Sequence, residues 1–272
     1  MKTKRFSFSK DFKFLIVGKA VAICAVVVIC AVVFSSVSAA TYYSSSLASA
    51  NAKRLPIYST TRTDKALAFS FDAAWGNEDT GELIKILDKY DVKTTFFVVG
   101  EWVDKYPESV RALSDAGHEI MNHSDTHPHM PKLSREGMLT EIRSCNEKIA
   151  KITGRTPTLF RAPFGEYSNE LIEALDTLNM HCIQWDIDSR DWREDYTVEK
   201  IVNGVVNHVQ SGDIVLFHNA AKNTPEALPI ILEKLIANGY EILPISKLIM
   251  TNNFHINHEG RQIANTQKTT AF

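Results

Sequence analysis

From Lys65 onward this chain alternates short apolar runs, rich in Val, Ile and Phe, with longer stretches whose apolar residues recur at helical spacing. The short runs read as strands at Ala66–Asp72, Lys93–Val99, Glu119–His123, Thr158–Ala162, Cys182–Asp188, Asp213–His218 and Glu241–Ile245. Between them, Leu83, Ile84, Leu87 and Tyr90 line one helical face. Ile201, Val202, Val205, Val206 and Val209 line a second, and Leu228, Ile231, Leu232 and Leu235 a third. Thr224-Pro225 reads as an N-cap followed by proline at the first helical position. Gly117, Gly154 and Gly239 each stand between a helix and the next strand, where a left-handed cap is wanted. Strands joined through helices by short links run parallel, so the expected fold class is α/β. Seven parallel strands can close into a barrel or stay open. A distorted (β/α) barrel is expected, because Asp72, His123, Arg161, Asp188, Asp191 and His218 all fall at or just past the C-terminal end of a strand. That end is the face on which such barrels carry their chemistry.

The 272 residues, 44% of them hydrophobic, suffice for one large domain of this kind or two small ones. A net charge of -2 gives no sign of nucleic acid as a general partner, and none is expected. The charge is uneven. Lys2, Lys4, Arg5, Lys10, Lys13 and Lys19 crowd the start, ahead of the apolar run Ala20 to Phe34 and the small residues Ser36-Val37-Ser38-Ala39. Residues 1–40 therefore read as an export segment, a signal peptide or a membrane anchor through residues 14–34, with the rest of the chain outside the cytoplasmic membrane. Whether it is cleaved stays open. Residues 41–64 read as a linker, 65–249 as the working domain and 250–272 as a polar, frayed tail, and the chain is expected to be a monomer. Cys24 and Cys30 lie within the apolar run. Cys145 shares a helical face with Met138, Ile142, Ile149 and Ile152, and Cys182 sits in a strand; a disulfide between these two stays open.

His123 and His127 stand four apart in Asn122-His123-Ser124-Asp125-Thr126-His127-Pro128, in a loop that follows a strand. Two imidazoles at that spacing can grip one divalent metal from one side of the backbone and leave positions for water. Other strand ends add Asp72, the run Phe160-Arg161-Ala162-Pro163-Phe164-Gly165, the run Asp188-Ser189-Arg190-Asp191-Trp192, and His218 after Ile214-Val215-Leu216-Phe217. This set, in this order from about Ala66 to Leu248, resembles the polysaccharide deacetylases, carbohydrate esterase family four, also called NodB-homology domains. The resemblance implies a NodB-type barrel and hydrolysis of the N-acetyl amide of a cell-wall glycan, peptidoglycan included. His123 and His127 would hold a divalent metal, zinc or a cobalt-like ion. Asp72 would be the general base, Arg161 its partner, His218 the general acid and Asp191 the residue that orients it. Trp192 and Leu216 would wall an acetyl pocket, with Pro163 and Phe164 at the substrate. The chemistry agrees, since an amide needs an activated carbonyl and a protonated leaving nitrogen.

The family's first motif carries two adjacent carboxylates, the second of them a metal ligand. Here the run is Phe71-Asp72-Ala73-Ala74-Trp75-Gly76-Asn77-Glu78-Asp79, and Ala73 cannot bind metal. A catalytic zinc ordinarily has three protein ligands. Two outcomes stay open: the metal is kept, with an oxygen from Asn77, Glu78 or Asp79 or with extra waters at a cost in affinity, or the metal is lost and the domain is a glycan-binding relative without activity. The same run, after an N-terminal apolar segment, is similar to the PdaB-type sporulation deacetylases, which implies a place in the spore envelope. Phosphate chemistry is disfavoured because no Gly-rich loop joins a strand to a helix, and glycoside hydrolysis does not account for a histidine pair.

Overall fold

The computed structural model describes residues 31, 33–38 and 53–265. The expected export segment lies outside the described residues except for a helical stretch at 33–38. Among the described residues no helix is long and apolar enough to cross a membrane. Arg54–Phe272 forms one compact unit.

Its strands are β1 (Ser59–Thr60), β2 (Ala66–Ala73), β3 (Thr95–Val98), β4 (Glu119–Asn122), β5 (Leu159–Phe160), β6 (His181–Cys182), β7 (Ile187–Asp188), β8 (Ile214–His218), β9 (Glu241–Leu243), β10 (Phe254–Ile256) and β11 (Arg261–Ala264). Its helices are α1 (Thr80–Lys89), α2 (Gly100–Lys105), α3 (Pro107–Asp115), α4 (Arg135–Thr153), α5 (Asn169–Asp176), α6 (Val198–Val206), α7 (Thr224–Ala237) and α8 (Ile245–Leu248). The main sheet runs β6-β5-β4-β3-β2-β8-β7, with β9 also on β2, and every pairing in it is parallel.

The central strand β2 shows why the sequence folds this way. All eight of its residues are buried, because both faces are covered. Leu67, Phe69, Phe71 and Ala73 pack with Leu83 and Leu87 of α1, Ile201 of α6 and Leu228 of α7. Ala66 and Ala68 face the other way, into a cluster with Phe97, Leu159, Ile183 and Ile214. Alternation along the strand therefore sends Ser70 and Asp72 toward the interior and Ala73 toward the helices.

The barrel does not close. The run expected as one strand, Cys182–Asp188, is two short strands on opposite edges of the sheet. Ile57 and Ser59 bridge Ile183, just past β6, and Asp213, just before β8. The architecture is thus an α/β half-barrel of seven parallel strands in one path, with β9 as an addition. Within the stretches read as linker and tail, Ser59–Thr60, Phe254–Ile256 and Arg261–Ala264 are paired strands. β1, β11 and β10 form a small three-stranded sheet, in which Arg261 lies opposite Ser59. Short strands with few apolar residues carry little periodicity, and their stability comes from tertiary pairing. Cys145 and Cys182 are free thiols in different apolar clusters.

At this seam Asp186 and Asp213 lie against each other, with Arg261 Nη2 3.6 and 3.9 Å from them. Burial first, and then the Asp186 charge, push Asp213 up to about 7. The folded state thus holds a proton that the unfolded chain releases near pH 4. The contribution to stability is full below that value and is lost as pH rises toward 7. Asp213→Asn keeps an acceptor for the Gln210 amide and removes the repulsion. Thermal melts from pH 4 to 8 should show a flatter profile for the variant. At pH 8 it should gain on the order of 1 kcal/mol, the figure being kept small because Arg261 and solvent screen the pair.

Candidate active site

Parallel register assembles the site. Asp72 ends its run on β2 directly beside His218 on β8. Ala73, Val98 and Asn122 align across β2, β3 and β4, so His123, one residue past Asn122, emerges two strands from the carboxylate. Arg161 follows β5, and its amide donates to the Asn122 carbonyl.

Arg161 is completely buried and is the hub. Its Nη1 donates to Asp72 Oδ1 at 2.8 Å, and its Nη2 donates to Ser70 Oγ and the Gln184 carbonyl at 2.9 and 3.1 Å. Phe97 lies under the guanidinium at 4.2 Å from its ring centroid. Burial alone would raise the Asp72 carboxyl. Arg161, with His123 and His218 beside it, holds it below the usual carboxylate range. Arg161 thus partners Asp72 rather than Asp188, whose Oδ1 accepts from the Arg190 amide.

His123 Nδ1 donates to the Arg161 carbonyl at 2.8 Å, which leaves Nε2 with its lone pair, 3.6 Å from Asp72 Oδ2. The His127 ring lies 5.0 Å from that of His123 between centroids. Burial drives both imidazoles toward the neutral form, His127 to about 4. The loop between them is tightly held. Ser124 and His127 adopt left-handed φ values of 68° and 57°. Glu141 on α4 accepts from the amides of Asp125 and Thr126 and from the Thr126 hydroxyl, at 2.8 to 2.9 Å. Asp125 takes Ser144 Oγ and Lys148 Nζ at 2.8 and 2.6 Å. Gly100 is required here, because a Cβ at that position would meet the Asp125 carboxylate.

His218 Nδ1 donates to Asp191 Oδ1 at 2.8 Å, while Asp191 Oδ2 accepts from the His218 amide and Thr224 Oγ1 at 2.9 and 2.6 Å. Burial works against a charged ring, but Asp191 outweighs it and raises the His218 value above the ordinary 6.5. Nε2 is left for the cavity. That cavity, of about 350 Å³, is lined by Asp72, His123, His127, His218, Leu216 and Trp192, among others. Trp192 and Phe164 are more than half exposed rather than core. Phe164 takes a left-handed φ of 59° in a single turn of 3₁₀ helix, and Pro163 is buried behind it. His129 stacks on Phe164 at 4.5 Å and pairs with Glu166, so it backs the cavity wall.

The two imidazoles suit a divalent ion: both are neutral, and the His123 tautomer is fixed by a carbonyl behind it. The third ligand is the weak point. Asn77 Nδ2 donates to Ser109, Asp79 Oδ2 accepts from the Ala220 amide, and Glu78 folds over Gly76. None of them turns to the histidines, and Ala73 packs with the helices. Among the described residues no three His, Cys, Asp or Glu side chains gather as a metal cluster. The residues that would hold a divalent ion are therefore His123 and His127, one protein ligand short of the usual catalytic set.

Sequence reading missed Gln184, Glu141, Asn219 and the position of Trp75. Trp75 stood in the quoted first motif and Asn219 directly after His218. Glu141 gave no signal, being one acidic residue on a long polar helix.

A half-barrel whose rim sets a buried carboxylate beside a carboxylate-held histidine, across from an imidazole pair, has the layout of a NodB-type domain. The chain belongs to the polysaccharide deacetylase family: residues 59–183 match that family, and solved relatives cover most of the domain. Peptidoglycan-N-acetylmuramic acid deacetylase PdaC of Bacillus subtilis is 34% identical over 184 residues, 68% of this chain and 38% of PdaC. Its solved structure matches with a TM-score of 0.63 at 33% identity, covering 68% of this chain and 90% of that one. Peptidoglycan-N-acetylglucosamine deacetylase PgdA of Listeria monocytogenes is 30% identical over 72% of this chain and 41% of PgdA. This chain thus spans about two fifths of the length of each. BA3943 of Bacillus anthracis, a CE4 family pseudoenzyme, matches with a TM-score of 0.69 at 32% identity, covering 72% of this chain and 69% of that one. A mutant of BA3943 with restored enzymatic activity matches equally well.

Proposed function

We propose that this chain is an exported peptidoglycan de-N-acetylase, anchored at or released from the outer side of the cytoplasmic membrane, that works on the spore envelope. The observation that carries the reading is the register pair Asp72 and His218, an ionised carboxylate and a protonatable imidazole on neighbouring strands across one cavity. Amide hydrolysis needs a base and an acid on either side of one carbon. Asp72 takes a proton from the attacking water as its oxygen bonds to the acetyl carbon. His218 Nε2 then gives a proton to the sugar nitrogen as the C–N bond breaks, so acetate and a free amine leave. Arg161 keeps Asp72 ionised and aimed, and Asp191 keeps His218 charged. Leu216 and Trp192 offer an apolar wall to the acetyl methyl. An ion held by His123 and His127 would polarise the carbonyl and acidify water.

A second reading is a glycan-binding relative without turnover. It is supported by Ala73, by the missing third ligand and by the pseudoenzyme status of the Bacillus anthracis relative. Acetate released from purified peptidoglycan by the full chain, with zinc or cobalt supplied, decides between them. Release above a His218→Ala control is the expected result. Binding to the same material without any release would establish the second reading.

A further inference from the structure

The loop after β2 has no part in the mechanism above, yet it holds Trp75 over the site with 60% of its surface exposed. The indole stands between His127 and His218, with ring centroids 6.1 and 6.3 Å away. Its backbone is fixed on both sides. The Ala74 amide donates to Asn219 Oδ1 at 3.3 Å, and the Gly76 carbonyl accepts from Trp102 Nε1 at 2.8 Å and from Asn219 Nδ2. Asn77 is tied to Ser109 just beyond. An exposed indole on a pinned loop is an aromatic face presented in advance to a ligand, with little conformational freedom left to lose.

The space around Trp75 is divided. On one side lies the 350 Å³ cavity with Asp72 and the histidine pair, a volume suited to about one amino sugar. On the other lies a cavity of about 720 Å³, edged by Asn219, Lys222 and Asn223. Trp75, Trp192 and His218 border both. The ridge between the two spaces is therefore two exposed indoles and the acid. A pyranose ring carries C–H bonds on its broad faces, and these pack on the electron-rich face of an indole. We infer that a glycan strand crosses this ridge, and that Trp75 stacks on the sugar next to the one whose acetyl group is removed. Trp75 would then be a specificity-determining residue that selects oligomers over short fragments. This rests on the proposed reading that the ligand is an amino-sugar glycan.

The test uses the full chain and peptide-free peptidoglycan glycan fragments of one and six sugars, titrated by calorimetry, with acetate release followed on the same samples. The wild-type chain should bind the longer fragment roughly 10-fold more tightly, as one added aromatic stack implies. Trp75→Ala should collapse that gap and Trp75→Phe should keep most of it, with melting temperatures confirming that both fold. An unchanged gap in Trp75→Ala, or no gap in the wild-type chain, overturns the inference. Length-selective binding that Trp75→Ala removes, without acetate release, upholds the role of Trp75 and removes the hydrolytic reading. Acetate release with an unchanged gap does the reverse.

Discussion

A His218→Ala chain should release acetate from peptidoglycan roughly 10²–10⁴-fold more slowly than the wild-type chain, and Asp72→Asn should do the same, since each removes one positioned proton carrier. The double variant should cost little more than either single one, because base and acid serve the same transition state. pH separates their roles. The base must be ionised, and Asp72 is held below the usual carboxylate range, so it sets a limb only in acid. The acid must keep its proton, and His218 is raised above 6.5, so activity should fall only once the pH exceeds that raised value. Asp191→Asn withdraws the charge that outweighs burial. The alkaline limb should therefore move to lower pH, with kcat falling more than KM rises. Rates measured from pH 5 to 9 on all variants check this. Full activity in either Asp72→Asn or His218→Ala would overturn the assignment.

The sequence carried the alternation of strands and helices, and through it the rim, because strands buried on both faces read as continuous apolar runs. Phe69, Phe71 and Phe217 mark their strands without ambiguity. Cys182–Asp188 misled because its middle residues cross the open edge of the sheet, so one apolar stretch serves two strands that never touch. The polar ends of the domain were opaque for a different reason. Ser59 and Arg261 pair only because the fold brings them together, and nothing local announces it. At the site, the residues that act through a side chain at a strand end were legible by position. Glu141 and Asn219, which hold backbone groups of the site in place, were not, since an acceptor or amide on a loop or helix is common.

Ala73→Asp should lower the stability of the metal-free chain by about 2–4 kcal/mol, and zinc should restore it. Position 73 is fully buried among apolar side chains, and a carboxylate there has no polar partner. For a domain of this size that loss corresponds to a fall in melting temperature of roughly 5–15 °C in the presence of a chelator. The escape from the apolar layer is the end of β2, where Ala73 is the last residue and where His123 emerges two strands away. Turned over that edge, the carboxylate would join His123 and His127 and complete a three-ligand set. Binding that favours the folded state stabilises it by RT ln(1 + [L]/Kd), about 2.7 kcal/mol at one hundred times Kd, which matches the loss. The variant should accordingly retain zinc through gel filtration where the wild-type chain sheds it. A His123→Ala/His127→Ala background should abolish both the rescue and the retention. A variant that stays destabilised at every zinc concentration would mean that the residue 73 carboxylate remains on the helix side. The site would then be limited to two histidines by the course of β2 itself, not by the loss of one side chain.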